Sequence, residues 1–90
     1  MKKYMIERDI PGIGRLSAES LKNAAAASNA ALAQLMPRVQ WQQSFIAGNK
    51  TFCVYLAEDE AAIAEHAKLS GFPANVITEI SGMIDPSTAS

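Results

Sequence analysis

Two acids, one thiol, one imidazole and one phenol are the side chains of this sequence placed where they could do chemistry. Glu7 and Glu79 fall in segments that read as neighbouring strands. Paired carboxylates there could bind a cation or divide the roles of acid and base. Cys53 lies in the middle of another strand, as a soft metal ligand, a reactive thiol or a buried inert one. His66 is the only histidine and borders the apolar face of a helix. No second imidazole can join it, so a ring bonded to a backbone carbonyl competes with a ligand role. Glu7, His66, Glu79 and Cys53 are therefore the candidate metal ligands, not necessarily of one site. Tyr55 could donate a hydrogen bond to a ligand or pack in an interface. Gly12-Ile13-Gly14 follows a strand but lacks the third glycine of a dinucleotide fingerprint. No paired-cysteine motif, HExxH, phosphate loop or nucleophile triad occurs.

The elements that must position these groups follow from periodicity. Residues 3–10 read as a strand, with Tyr4, Ile6 and Ile10 on one parity, broken by Pro11-Gly12. Ser17 is a suitable N-cap for an alanine-rich helix whose Leu21, Ala25, Ser28, Leu32 and Leu35 share one face. Its small residues at 24–27 would let it lie close to a sheet. Strands 39–47 and 51–57 flank Gly48-Asn49, a pair suited to a tight hairpin turn. That turn predicts pairing of Phe45 with Phe52, Ser44 with Cys53, Gln43 with Val54 and Gln42 with Tyr55. A second helix spans 59–70, stopped by Gly71, and a last strand spans 75–84. Residues 86–90 read as a loose tail.

The order β-α-β-β-α-β predicts an α+β, ferredoxin-like fold. It has a four-stranded antiparallel sheet, ordered 4-1-3-2, with two helices on one face. Alternation divides the hairpin into two faces. The set Trp41, Gln43, Phe45, Phe52, Val54 and Leu56 reads as the core face. The open face then carries Met5, Glu7, Gln42, Ser44, Ile46, Cys53, Tyr55, Ile77, Glu79 and Met83. By the same parity Arg8 points inward near a strand end, an awkward place unless it escapes at the edge. The open face is too apolar for water, with Met5, Ile46, Ile77 and Met83 as its interface residues. A second copy packed there would enclose a cavity lined by Gln42, Ser44 and Tyr55, and a homodimer is the expected assembly.

Ninety residues fit one domain, 1–90, which is marginal as a monomer. The net charge is −1, and Lys2-Lys3 is the only adjacent basic pair, so nucleic acid is not an expected partner. One cysteine excludes an intramolecular disulfide. No segment approaches a membrane span, and the start lacks the apolar run of a signal peptide, so the cytoplasm is the expected compartment.

Several phrases together carry a resemblance: Glu7-Arg8-Asp9-Ile10-Pro11-Gly12, Trp41 with Gln43-Ser44-Phe45, Phe52-Cys53-Val54-Tyr55, Glu65-His66-Ala67 leading to Gly71-Phe72-Pro73-Ala74, and Ile84-Asp85-Pro86. The chain resembles, over nearly its whole length, the small DUF4242 family, often labelled nickel-binding-protein-like. The resemblance implies a dimerising ferredoxin-like domain that binds nickel or another divalent metal. The first functional expectation is thus a dimeric metal- or small-ligand-binding protein without catalysis of its own. The alternatives are a cofactor-independent enzyme resembling the dimeric α+β-barrel monooxygenases and cyclases, and a structural or regulatory dimer.

Overall fold

The computed structural model describes all of residues 1–90. Four strands, β1 (Lys2–Asp9), β2 (Val39–Ala47), β3 (Lys50–Ala57) and β4 (Val76–Ile80), form one antiparallel sheet in the order β2-β3-β1-β4. Helices α1 (Ala18–Leu35) and α2 (Glu60–Ser70) complete the ferredoxin-like β-α-β-β-α-β order. Ser17 Oγ accepts from the Ser20 N–H at 3.1 Å and starts α1. Asp59 starts α2 by accepting from the Ala62 N–H at 2.9 Å. Gly71, at φ 80°, ends α2 in the left-handed conformation that glycine adopts without strain.

The hairpin register holds from Ala47–Lys50 through Gln43–Val54, and then a β-bulge at Gln42 shifts it. Trp41, not Gln42, consequently stands opposite Tyr55. The inserted residue turns Trp41 to the same side as Ser44, whereas regular alternation would have left them on opposite faces.

The assignment of the hairpin's two faces is also reversed. Ile6 pairs with Cys53 and Tyr4 with Tyr55, so these residues share the side that the helices cover. Tyr4, Ile6, Val39, Cys53, Tyr55 and Ala57 join Leu32, Leu35, Ala62 and Ile63 in the core. On β4, Ile77 lies beside Ile6 and Glu79 beside Tyr4, which corrects their placement on the open face. The open face carries Met5, Glu7, Gln43, Phe45, Phe52, Val54, Leu56, Val76, Thr78 and Ile80. Ser44, Ile46, Cys53 and Tyr55 belong to the helix side, and Gln42 is exposed at the bulge.

β4 ends at Ile80, opposite Lys3 and one residue short of the start of β1. Residues 81–85, Met83 among them, are therefore not strand. The tail, expected to be loose, closes in a 3-10 turn at Pro86–Ala89 that Asp85 caps.

The β1–α1 connection docks on the hairpin tip. Gly14 N–H donates to the Gly48 carbonyl at 2.9 Å, and Ile10 N–H to the Asn49 carbonyl at 2.9 Å. The Asn49 side chain accepts from the Gly12 N–H at 2.9 Å. These bonds hold Ile10 and Ile13 over the inner side of the sheet, at the rim of a cavity.

Candidate functional site

The cavity lies between the N-terminal half of α1 and the inner side of the sheet, and measures about 210 Å³. Its roof is small because Ala24 and Ala25 stand where larger side chains would fill the space. About two turns further on, Ala31, Leu32 and Leu35 are buried, so the same helix closes the core. Trp41, Ser44, Thr51, Cys53, Tyr55 and Arg8 form the floor, and Phe72 and Ile13 contribute to the walls.

The polar groups of the floor are tied to one another. Trp41 Nε1–H donates to Ser44 Oγ at 2.9 Å. Cys53 Sγ–H donates to Thr51 Oγ1 at 3.6 Å. The Tyr55 hydroxyl and Ser28 Oγ lie 3.5 Å apart, and Ser28 Oγ lies 3.2 Å from His66 Nε2. His66 Nε2 is also 3.4 Å from the Ser28 carbonyl oxygen, which can only accept, so the ring proton belongs on Nε2. Nδ1 is then a bare lone pair, buried without a protein partner. The Tyr55 ring is stacked near Trp41 at 6.5 Å and tilted against His66 at 5.1 Å between centroids.

Burial sets the charge states. It lowers the pKa of His66, and the positive charge of Arg8 pushes in the same direction, so the imidazole is neutral at pH 7. Burial raises the pKa of Tyr55 against the opposing pull of its bond to Ser28, so the phenol keeps its proton.

Arg8 is the exceptional group. It does not escape at the strand edge and is only 2 % exposed. Its Nη1 donates to the Pro73 carbonyl oxygen at 2.9 Å. Its guanidinium carbon lies 5.9 Å from the centre of the Tyr55 ring, within cation–π range. Its Nη2 is buried without a protein partner.

The four candidate metal ligands are not gathered. Glu7 is on the open face, 3.9 Å from Lys50 Nζ. Glu79 is opposite Tyr4 on the other side of the sheet, 3.9 Å from Lys2 Nζ. The two acids therefore lie on opposite faces, not as the neighbouring pair that strand adjacency suggested. Cys53 is buried on the inner side, and His66 is fully buried behind Ser28. Of the expected cavity-lining residues, Ser44 and Tyr55 do line a cavity, but one roofed by this chain's own α1. Among the expected interface residues, Met5 is on the open face, Ile46 lines the cavity, and Ile77 packs on the core. Arg8 and Ser28, the polar centre of the site, were visible in the sequence only as an inward-pointing cation and a serine on an apolar helix face.

Comparison with known proteins settles the relationship. The model of the nickel-responsive protein SCO4226-like family matches residues 4–80. The chain belongs to that family. SCO4226 from Streptomyces coelicolor A3(2), a solved structure, superposes with a TM-score of 0.74 over 91 % of this chain and 99 % of that one. The two are 19 % identical, and the likeness shows the shared fold. No curated protein matches the chain.

The family is described as nickel responsive, and the donors of this member do not fit a nickel ion within one chain. No three residues among its histidine, cysteine, aspartates and glutamates come close enough to hold a metal ion. Nickel favours imidazole, and the one imidazole here is committed to Ser28 in the core.

Proposed function

We propose that this SCO4226-like protein binds a small organic molecule in the cavity beneath α1, and does so without catalysis of its own. The observation that carries the reading is the cavity itself, mostly apolar and floored by a few hydrogen-bonding groups, the usual composition of a ligand site. The same groups argue against acid–base catalysis. Tyr55 is held protonated, and His66 is separated from the cavity by Ser28 with no carboxylate to orient it. Trp41 is the chain's only tryptophan and lines the cavity, so its fluorescence reports occupancy. Saturable change on titrating small aromatic compounds, lost when Ala25→Phe fills the roof, is the expected result. An unchanged titration in Ala25→Phe would remove the site from this cavity.

A homodimer through the open face of the sheet is the assembly we propose. The more apolar face of the hairpin is the one that the helices leave uncovered. Phe45 is 54 % exposed and Val76 45 % exposed there, beside half-buried Phe52 and Leu56. A second copy of this chain, presenting the same face about a two-fold axis, would cover both.

The family's nickel-responsive description favours a second reading, a divalent-metal site shared between copies. Glu7 and Asp9 are the acids of β1 on the face where copies would meet, and Glu7 is the more central of the two.

A further inference from the structure

The polar lining of the cavity beneath α1 carries one positive charge and no negative one, among hydroxyls that can donate. Arg8 takes part in none of the ion pairs of the structure, which are Lys2–Glu79, Arg38–Glu58, Lys50–Glu7 and Lys50–Asp9. No aspartate or glutamate lines the cavity. The Ser44 hydroxyl oxygen accepts from Trp41 and that of Thr51 accepts from Cys53, so each keeps its own proton to donate. Thr51 stands directly opposite Arg8 across β1 and β3. A guanidinium buried beside hydroxyl donors and without a counter-charge is unfavourable by itself. It is the complement of a carboxylate, which accepts on both oxygens.

The rest of the lining sets the other half of the ligand. Leu21, Ala24, Ala25, Ile13 and Phe72 provide an apolar surround, and Trp41 and Tyr55 provide aromatic faces. A cavity of about 150 Å³ holds benzene, so the 210 Å³ here admits a ring with a short substituent, roughly seven to nine carbons in all. We propose that the site takes a small aromatic or branched monocarboxylate, its carboxylate turned to the Arg8 guanidinium and the Thr51 hydroxyl and its apolar body under α1. This rests on the reading of the cavity as a ligand site and adds the charge and size of the ligand.

The test compares three probes on the wild-type protein by calorimetry and Trp41 fluorescence: phenylacetate, its neutral isostere phenylacetamide, and acetate. Phenylacetate is expected to bind at least about tenfold more tightly than either of the others, the margin of one charge-assisted pair. In Arg8→Met the preference for acid over amide should fall to within about threefold while amide binding persists. The wild-type comparison decides the matter even where Arg8→Met fails to fold. Thr51→Val, which removes a donor and keeps the shape, should weaken phenylacetate more than phenylacetamide. Equal binding of acid and amide to the wild type would overturn the carboxylate assignment and leave the cavity a neutral-ligand site. Absence of binding by all three up to about 10 mM would overturn the ligand-site reading as well.

Discussion

The Arg8 guanidinium and the Pro73 carbonyl, 65 residues apart in the chain, are joined by a 2.9 Å hydrogen bond. The bond fixes one arm of the guanidinium against the approach to β4 and leaves the other arm buried without a protein partner. The approach is itself held to β1, since the Asn75 side chain accepts from the Asp9 N–H at 2.7 Å and the Asn75 N–H donates to the Glu7 carbonyl at 3.0 Å. Arg8 is thus held between β1, which carries it, and the loop that leads into β4, and its second nitrogen has no protein partner.

His66 makes stability depend on pH. Its pKa is lowered in the folded state, chiefly by burial and further by Arg8. The unfolded chain therefore binds a proton near pH 6.5 that the folded chain refuses. The contribution is intact above pH 6.5 and is lost as pH falls from there toward the lowered folded value. Unfolding free energy, measured by urea titration, should decline below pH 6.5 with a slope of up to about 1.4 kcal/mol per pH unit. His66→Gln should remove that component, and an unaltered pH profile in the variant would show that His66 is not its source.

Gly14 is required by a close approach. A Cβ built there would stand 2.6 Å from the Gly48 carbonyl oxygen, an atom of the hairpin backbone with little freedom to retreat. Gly14→Ala should cost about 1–3 kcal/mol and loosen the cavity rim. Gly82→Ala meets nothing within 4 Å and should change stability by no more than about 0.5 kcal/mol. Equal denaturation midpoints for the two variants would contradict the docking of the connection on the hairpin tip.

The open face should govern assembly. Sedimentation is expected to show a dimer at micromolar concentration for the wild type and a monomer for Phe52→Glu, which places a charge at the centre of the uncovered apolar face. Glu19→Lys, at the exposed start of α1, should leave the dimer intact. A dimer that survives Phe52→Glu would move the interface to another surface.

Nickel binding should be independent of the imidazole. In protein free of any histidine tag, calorimetric titration should give the same nickel affinity for wild type and His66→Gln, because Nε2 faces Ser28 and the ring is fully buried. Any affinity present should fall in Glu7→Gln. A loss confined to His66→Gln would place the metal in the core and overturn the geometry described above.

Local chemistry carried the legible part of the fold. Gly48-Asn49 set the turn, and the turn set the pairs Phe45–Phe52 and Ser44–Cys53. Ser17, Asp59 and Gly71 marked the helix ends. The side of the sheet that the helices cover was not legible, because it depends on the register of β1 against β3, a pairing between residues 41 to 55 apart in the chain. The apolar Phe52 and Val54 favoured the wrong face, since the inner face here is made of Thr51, Cys53 and Tyr55 around a polar-floored cavity. The bulge at Gln42 leaves no mark in composition and moved Trp41 across the sheet. Ser44 and Tyr55 were legible as cavity residues, and Arg8 only as an inward cation on an otherwise apolar parity, its significance hidden until the cavity around it was seen.

The most direct test of a ligand cavity beneath α1 is an amide and indole spectrum of the nitrogen-labelled protein recorded during titration with phenylacetate. The Trp41 indole N–H, bonded to Ser44 in the cavity floor, should shift saturably together with the amides of Ala24, Ala25, Ser28 and Tyr55. Shifts centred on Gln43, Phe52 and Val54, on the far side of the sheet, with the Trp41 indole unmoved, would contradict the account.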